Sequence, residues 1–267
     1  MKKARIIAAT CAIALMVLIS GCSTVPVTGR SQLNIVSASQ EMQLGLSGFE
    51  ELKKETPIER DPQINSMVQR VGQQIARVTA KDMPDAQWEF VVFQSKEANA
   101  FCLPGGKVGI YTGILPITKN EAGMATVMAH EVAHAVAHHG AERMSEALLM
   151  EGGGQVLGAA VSAYNPTWSQ AAVLAYGVGS KVGRELPHSR KQESEADHIG
   201  LIYMARAGYN PQEAVEFWKR FMEFNNASGG SSVPAFLRTH PLDTQRIQQL
   251  QNLMPEAQRE FQRSTAK

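Results

Sequence analysis

Apolar positions recur at three- and four-residue steps over two early stretches of the chain. Ile64, Met67, Val68, Val71, Ile75 and Val78 trace one face between Pro62 and Ala80, which predicts an amphipathic helix. Ser37 to Lys54 carries a similar pattern and predicts another. From Trp88 the pattern changes. Trp88 to Phe93, Ala98 to Leu103 and Lys107 to Tyr111 are short apolar runs that predict strands, the last two joined by the turn sequence Pro104-Gly105-Gly106. After Asn120 helical patterning returns and runs to the end, with breaks at Gly152–Gly154, Asn165-Pro166, Leu186-Pro187 and Asn225–Pro234. The expected fold class is α+β and mainly helical, one domain over 37–253 with a small β-sheet. Residues 254–267 are expected to form a polar C-terminal tail.

The start of the chain reads differently. Lys2, Lys3 and Arg5 precede an uncharged, mostly apolar run from Ile6 to Ile19, the pattern of a secretory signal and shorter than the roughly 20 residues of a membrane span. Leu18-Ile19-Ser20-Gly21-Cys22 is similar to a bacterial lipobox, so 1–21 is expected to be a lipoprotein signal peptide and Cys22 the lipidated residue. Ser23, where an Asp would signal retention, suits sorting to the outer membrane. Residues 22–36, with Pro26 and Gly29, are expected to be a flexible lipid-anchored tether. Gly152 to Ser180 holds no charged residue and is rich in Gly, Ala and Ser. Asn165-Pro166 splits it, so two short helices forming a lid or a membrane-facing flap are expected, with insertion in the bilayer as the alternative.

Composition narrows the functional classes. With 267 residues, 44% of them hydrophobic, a sizeable core is available, and a net charge of +1 gives no basic face for nucleic acid. No Gly-rich phosphate loop or dinucleotide fingerprint occurs. Of the three cysteines, Cys11 lies in the signal and Cys22 takes lipid, so Cys102 has no disulfide partner and is read as core packing.

The candidate chemistry begins at His130-Glu131-Val132-Ala133-His134. On a helix, positions i and i+4 are neighbours, so two imidazoles can hold one cation, and the intervening Glu131 can reach a water beside it. Glu121 to His139 reads as one continuous helix carrying this pair, with His138 on the same face a turn further on and His139 on the opposite side. A catalytic zinc, one per chain, needs a third protein ligand. The helix expected from Arg190 to Ala207 has an apolar stripe at Ala196, Gly200, Tyr203 and Met204. Glu193 and Asp197 fall on that stripe, whereas Glu195 and His198 point away. A core-facing carboxylate is rare unless paired or metal-bound, which selects Glu193 as the third ligand. Asp197, one turn later, either accepts a hydrogen bond from a liganding imidazole or pairs with a basic side chain. His138, His139 and His188 are read as structural.

These motifs resemble the zinc metallopeptidase family of the type I CAAX prenyl protease, HtpX and the mitochondrial Oma-type proteases. The likeness rests on His130-Glu131-x-x-His134, on Ser189 to Asp197, on Asn99 through Gly106 to Gly113, and on Thr239-His240-Pro241-Leu242. Without clear multiple spans, the nearer comparison is the soluble periplasmic lipoproteins of the BepA and LoiP kind. The resemblance implies a zincin-type (gluzincin) fold, zinc on His130, His134 and Glu193, and Glu131 as general base. It implies polypeptide substrates, and quality control of unfolded or misfolded envelope proteins as the function. For His240 it leaves two roles: donating to the oxyanion of the transition state, or occupying the open metal position and holding the enzyme off. A third reading of His240 is a plain helix-entry residue before Asp243. Val108 to Thr112 is expected to offer a strand edge to an extended substrate. The alternative to a protease is a chaperone or assembly factor whose zinc site is structural or latent.

Overall fold

The computed structural model describes residues 22–150, 189–227, 234–241 and 244–266. The signal peptide, the 152–180 lid or flap, His188 and Asp243 lie outside the described residues. Strands β1 (Cys22–Thr24) and β2 (Ser31–Leu33) pair antiparallel, with Cys22 opposite Leu33 and Thr24 opposite Ser31. The expected flexible tether thus begins with a hydrogen-bonded hairpin. Helix α1 (Ala38–Glu55) starts at a capping box in which Ser37 and Gln40 satisfy each other's free backbone amides. Helix α2 (Pro62–Thr79) starts at Asp61, whose carboxylate accepts from the amides of Gln63 and Ile64, and it buries Val68, Val71 and Ile75 as its spacing predicts.

Next come β3 (Glu89–Phe93), β4 (Ala100–Leu103) and β5 (Lys107–Tyr111), ordered β3-β5-β4. β3 runs parallel to β5 and β4 antiparallel to it, the latter turn made by Gly105 and Gly106 at φ 81° and 79°. The strand expected to offer a free edge, β5, is instead the central strand. Both its sides are hydrogen-bonded and every residue from Lys107 to Tyr111 is buried, so Val108 to Tyr111 cannot take an added strand. Cys102 is buried among core residues, as its packing role requires.

A 3-10 turn (Thr112–Ile114) and the one-turn helix α3 (Leu115–Thr118) lead to α4 (Glu121–Val136), capped by Asn120 through its side chain and the Gly123 amide. All residues of α4 from Gly123 onward are buried, between the sheet and α6 (Arg190–Arg206). The expected continuous helix to His139 does not form. It ends at Val136, His138 adopts φ 52°, and α5 (His139–Met150) restarts with a new phase. Helices α7 (Gln212–Ala227), α8 (Ala235–Thr239) and α9 (Thr244–Thr265) complete the described chain. The expected polar tail is the second half of α9. Pro255 sits inside that helix, and Leu250, Met254, Ala257 and Phe261 pack on the core at four- and three-residue steps. Among the described residues no helix is long and apolar enough to cross a membrane.

Candidate metal centre

Helix α4 supplies the first half of the site. His130 and His134 lie one turn apart on the face toward α6, where Gly200 allows the closest approach. A Cβ built on Gly200 would stand 3.0 Å from the His130 Cα and backbone nitrogen. Trp218 of α7 packs edge-on against the His130 ring at 5.7 Å. Helix α6 supplies Glu193 in its first turn, where the exposed helix amides favour a carboxylate. His240, just past α8, stacks on Phe236 at 4.4 Å and projects into the same space.

The distances are short. His130 Nε2 lies 3.1 Å from His134 Nε2, and these atoms lie 3.4 and 3.3 Å from the two Glu193 carboxylate oxygens. His240 Nδ1 lies 3.0 Å from Glu193 Oε1 and 3.3 Å from His130 Nε2. One ligand atom from each of His130, His134, Glu193 and His240 falls within 4.8 Å of the others. All four residues are buried, at 3% exposure or less. Glu131 is also buried, with Oε1 3.4 Å from His240 Nε2.

Chemistry decides what such a cluster tolerates. The outer nitrogen of His130, Nδ1, lies 3.1 Å from Asp197 Oδ1, and the outer nitrogen of His134 lies 2.8 Å from His139 Nδ1. When those outer nitrogens carry the protons, both inner Nε2 lone pairs face each other and a carboxylate. Buried lone pairs in contact repel unless a cation lies among them, and imidazole with carboxylate is a donor set that suits zinc. The donor set therefore fits one Zn²⁺.

The surrounding charges agree. Arg246 of α9 donates from Nε and Nη2 to Asp197, both at 2.8 Å, and from Nη1 to the Pro241 carbonyl at 3.0 Å, while Nη1 forms an ion pair with Glu193 Oε2 at 2.8 Å. Its guanidinium lies 4.2 Å over the Trp218 ring. Burial opposes ionisation of Asp197 and Glu193, but Arg246, with His130 beside Asp197 and His240 beside Glu193, outweighs it and holds both carboxyls below their ordinary range. Burial pushes Glu131 the other way, upward, as suits a proton acceptor. Burial also pushes His134 down, keeping its imidazole neutral.

The model of peptidase family M48 matches residues 62–254, which include this whole constellation. The chain belongs to peptidase family M48. As an M48 peptidase it is a zinc-dependent metalloendopeptidase, and the zincin-type fold and zinc cofactor expected from the motifs are borne out. It is similar to the mitochondrial metalloendopeptidase OMA1 of Saccharomyces cerevisiae, 34% identical over 274 residues that cover 94% of this chain and 76% of that protein. OMA1 of Schizosaccharomyces pombe is 36% identical over 235 residues, covering 88% of this chain and 67% of that protein. The beta-barrel assembly-enhancing protease of Escherichia coli K12 is 29% identical over 235 residues, 86% of this chain but 47% of that protein.

Three side chains of the M48 chain sit elsewhere than the sequence pattern suggests. Glu195 does not point to solvent: it is 7% exposed and lies 3.0 Å from His139 Nε2. His139, expected on the far side of the zinc helix, is fully buried against His134 because α5 restarts the helical phase. His138 leaves the zinc-helix face and pairs with Glu41 at 2.7 Å. No motif singled out Arg246, which pairs with Asp197 and Glu193, or Arg30, which pairs with Glu142 and Glu195.

Proposed function

We propose that this chain is a zinc endopeptidase acting on unfolded or misfolded envelope proteins, with His130, His134 and Glu193 as metal ligands. The observation that carries the reading is the buried His130–His134–Glu193 cluster with Glu131 beside it on the same helix. Zinc bound there supplies a Lewis acid that polarises the scissile carbonyl and acidifies the attacking water. Glu131 takes the proton of that water on a carboxylate oxygen and passes it to the leaving amine. Asp197, whose Oδ1 lies 3.1 Å from His130 Nδ1, would hold the proton on that nitrogen and so fix the tautomer. The envelope location rests on the lipobox-like sequence at Cys22, which would tether the enzyme by a lipid to the periplasmic face of the outer membrane. The name of the Escherichia coli relative, a beta-barrel assembly-enhancing protease, supports substrates of that compartment.

One observation favours a second, latent state. His240 lies within ligand distance of the same cluster, and in that position it would compete with water and substrate. The enzyme is therefore proposed to rest with His240 held at the ligand cluster and to work once it withdraws. A chaperone or assembly factor with a silent zinc site is the rival.

Zinc stoichiometry and casein cleavage in wild type, Glu131→Gln and His240→Ala separate these readings. One zinc per chain, with turnover reduced about 10²–10⁴-fold in Glu131→Gln at unchanged zinc content, is the expected result. A weakly active wild type that gains turnover in His240→Ala identifies latency. Zinc binding without cleavage in any variant would instead favour the chaperone.

A further inference from the structure

The hairpin β1–β2 reaches three helices of the metal centre. Gln32 donates to the carbonyl of Ala137, where α4 ends, at 2.8 Å. Arg30 donates from Nη1 and Nη2 to the Glu142 carboxylate of α5 at 2.5 and 3.0 Å, and from Nε to Glu195 Oε2 of α6 at 2.6 Å. The Thr28 hydroxyl donates to the other Glu195 oxygen. Glu195 Oε2 faces His139 Nε2, and His139 Nδ1 faces His134 Nδ1. The Arg30 and Glu195 side chains are 13% and 6% exposed, and His139 has no exposed surface, so bulk water does not substitute for these bonds.

Donor and acceptor roles follow by elimination. Arg30 only donates, so Glu195 is an acceptor, and His139 Nε2 must donate to it. A neutral His139 then has an acceptor at Nδ1, which requires His134 to carry its proton on Nδ1. That tautomer turns the His134 Nε2 lone pair toward Glu193 and His130, the orientation a metal ligand needs. The opposite tautomer would place a proton where the metal belongs.

We propose that Arg30, Glu195 and His139 form a positioning relay that sets the tautomer and ring angle of His134, making the N-terminal hairpin a working part of the metal centre. The relay rests on His134 being a metal ligand. It mirrors the other ligand: His130 is backed by Asp197 and Arg246 from α9, whereas His134 is backed by Glu195 and Arg30 from the hairpin, with His139 spanning the extra distance. Val27 supports the assignment. It holds φ 67° at the hairpin tip, a conformation disfavoured for a β-branched residue, immediately before the Thr28 that grips Glu195.

The test is the zinc dissociation constant of the full chain, measured by chelator competition, with apo-protein melting followed alongside. His139→Leu and Arg30→Gln are each expected to weaken zinc about 10–100-fold. His139→Gln, which keeps an acceptor beside a donor, is expected to stay within about threefold of wild type, and Arg70→Gln, an exposed pair with Glu121, to match it. Lower melting in His139→Leu or Arg30→Gln with zinc affinity within twofold of wild type would show a merely structural network and overturn the relay. Should His139→Leu not fold, Arg30→Gln carries the same decision. Loss of zinc in His134→Ala, with unchanged affinity in the relay variants, rejects the relay but keeps the site. A wild type that binds no zinc rejects the site reading, and the relay with it.

Discussion

Arg246 is the cation on which two buried carboxylates depend, and its removal gives the sharpest test of the site's electrostatics. The side chains of Asp197 and Glu193 are 2% and 1% exposed, and Arg246 reaches both at 2.8 Å while covering Trp218. Arg246→Leu preserves apolar volume over Trp218 but strands negative charge in the interior. Breaking a buried pair by deleting one partner costs about 3–5 kcal/mol. Against a total stability of about 5–15 kcal/mol, that is a loss of roughly a fifth or more. Urea unfolding of the apo protein at neutral pH measures it, in a cycle with Asp197→Asn. The double variant no longer strands the Asp197 charge, so a coupling of about 2–3 kcal/mol is expected between the two sites. Zinc should shrink the penalty of Arg246→Leu, because a dication held by Glu193 replaces part of the lost positive charge. A loss under about 1 kcal/mol, or an equal loss with Asp197→Asn present, would refute this account of the charge balance.

Other outcomes follow from the same geometry. Gly200→Ala sets a helix-propensity gain of about 1 kcal/mol against contact with unyielding His130 backbone, and overpacking of about 1–3 kcal/mol is expected to win. Calorimetry should show a lower Tm and titration a weaker zinc affinity; a more stable variant would mean that α4 and α6 have slack. Gly109→Ala would drive a Cβ into the Phe101 ring on the neighbouring strand, at a cost of about 1–3 kcal/mol, and Phe101→Leu in the same chain should recover part of it. Glu195 gives a pH signature. Burial opposes its ionisation, but hydrogen bonds from His139, Thr28 and Arg30 prevail and lower its pKa from the ordinary 4.5 to about 2. Its stabilisation is therefore complete above pH 4.5 and disappears as pH falls toward 2. Urea midpoints across that window should fall less steeply in Glu195→Gln; parallel curves would contradict the network.

The parts legible in the sequence were those where one periodicity acts alone. Helix α2 shows its core face because Val68, Val71 and Ile75 repeat against a polar side, and β3 to β5 show theirs through short apolar runs closed by Gly105 and Gly106. Glu193 could be chosen because a carboxylate on an apolar stripe needs a partner. Glu195 could not, since α6 is buried on nearly every side from Gln192 to Ala205 and its stripe does not divide inside from outside. His139 was lost to a phase reset at His138, which no residue in 135–139 announces. The hairpin's three-residue strands are too short for alternation to register, and its Pro and Gly read as looseness. In α9 Pro255 and a polar composition mask the apolar row through Leu250, Met254, Ala257 and Phe261.

The placement of Arg246 also bears on when proteolysis becomes possible. Translation delivers the hairpin, then the histidines, then Glu193 and Asp197, and only afterwards α9. Until that helix leaves the ribosome and docks, Glu193 and Asp197 lack the arginine that bridges them, and His130 is backed by an unanchored carboxylate. The charge balance of the site is thus set by an element that follows all the ligand candidates in the chain, and it is complete only once α9 has docked on α6.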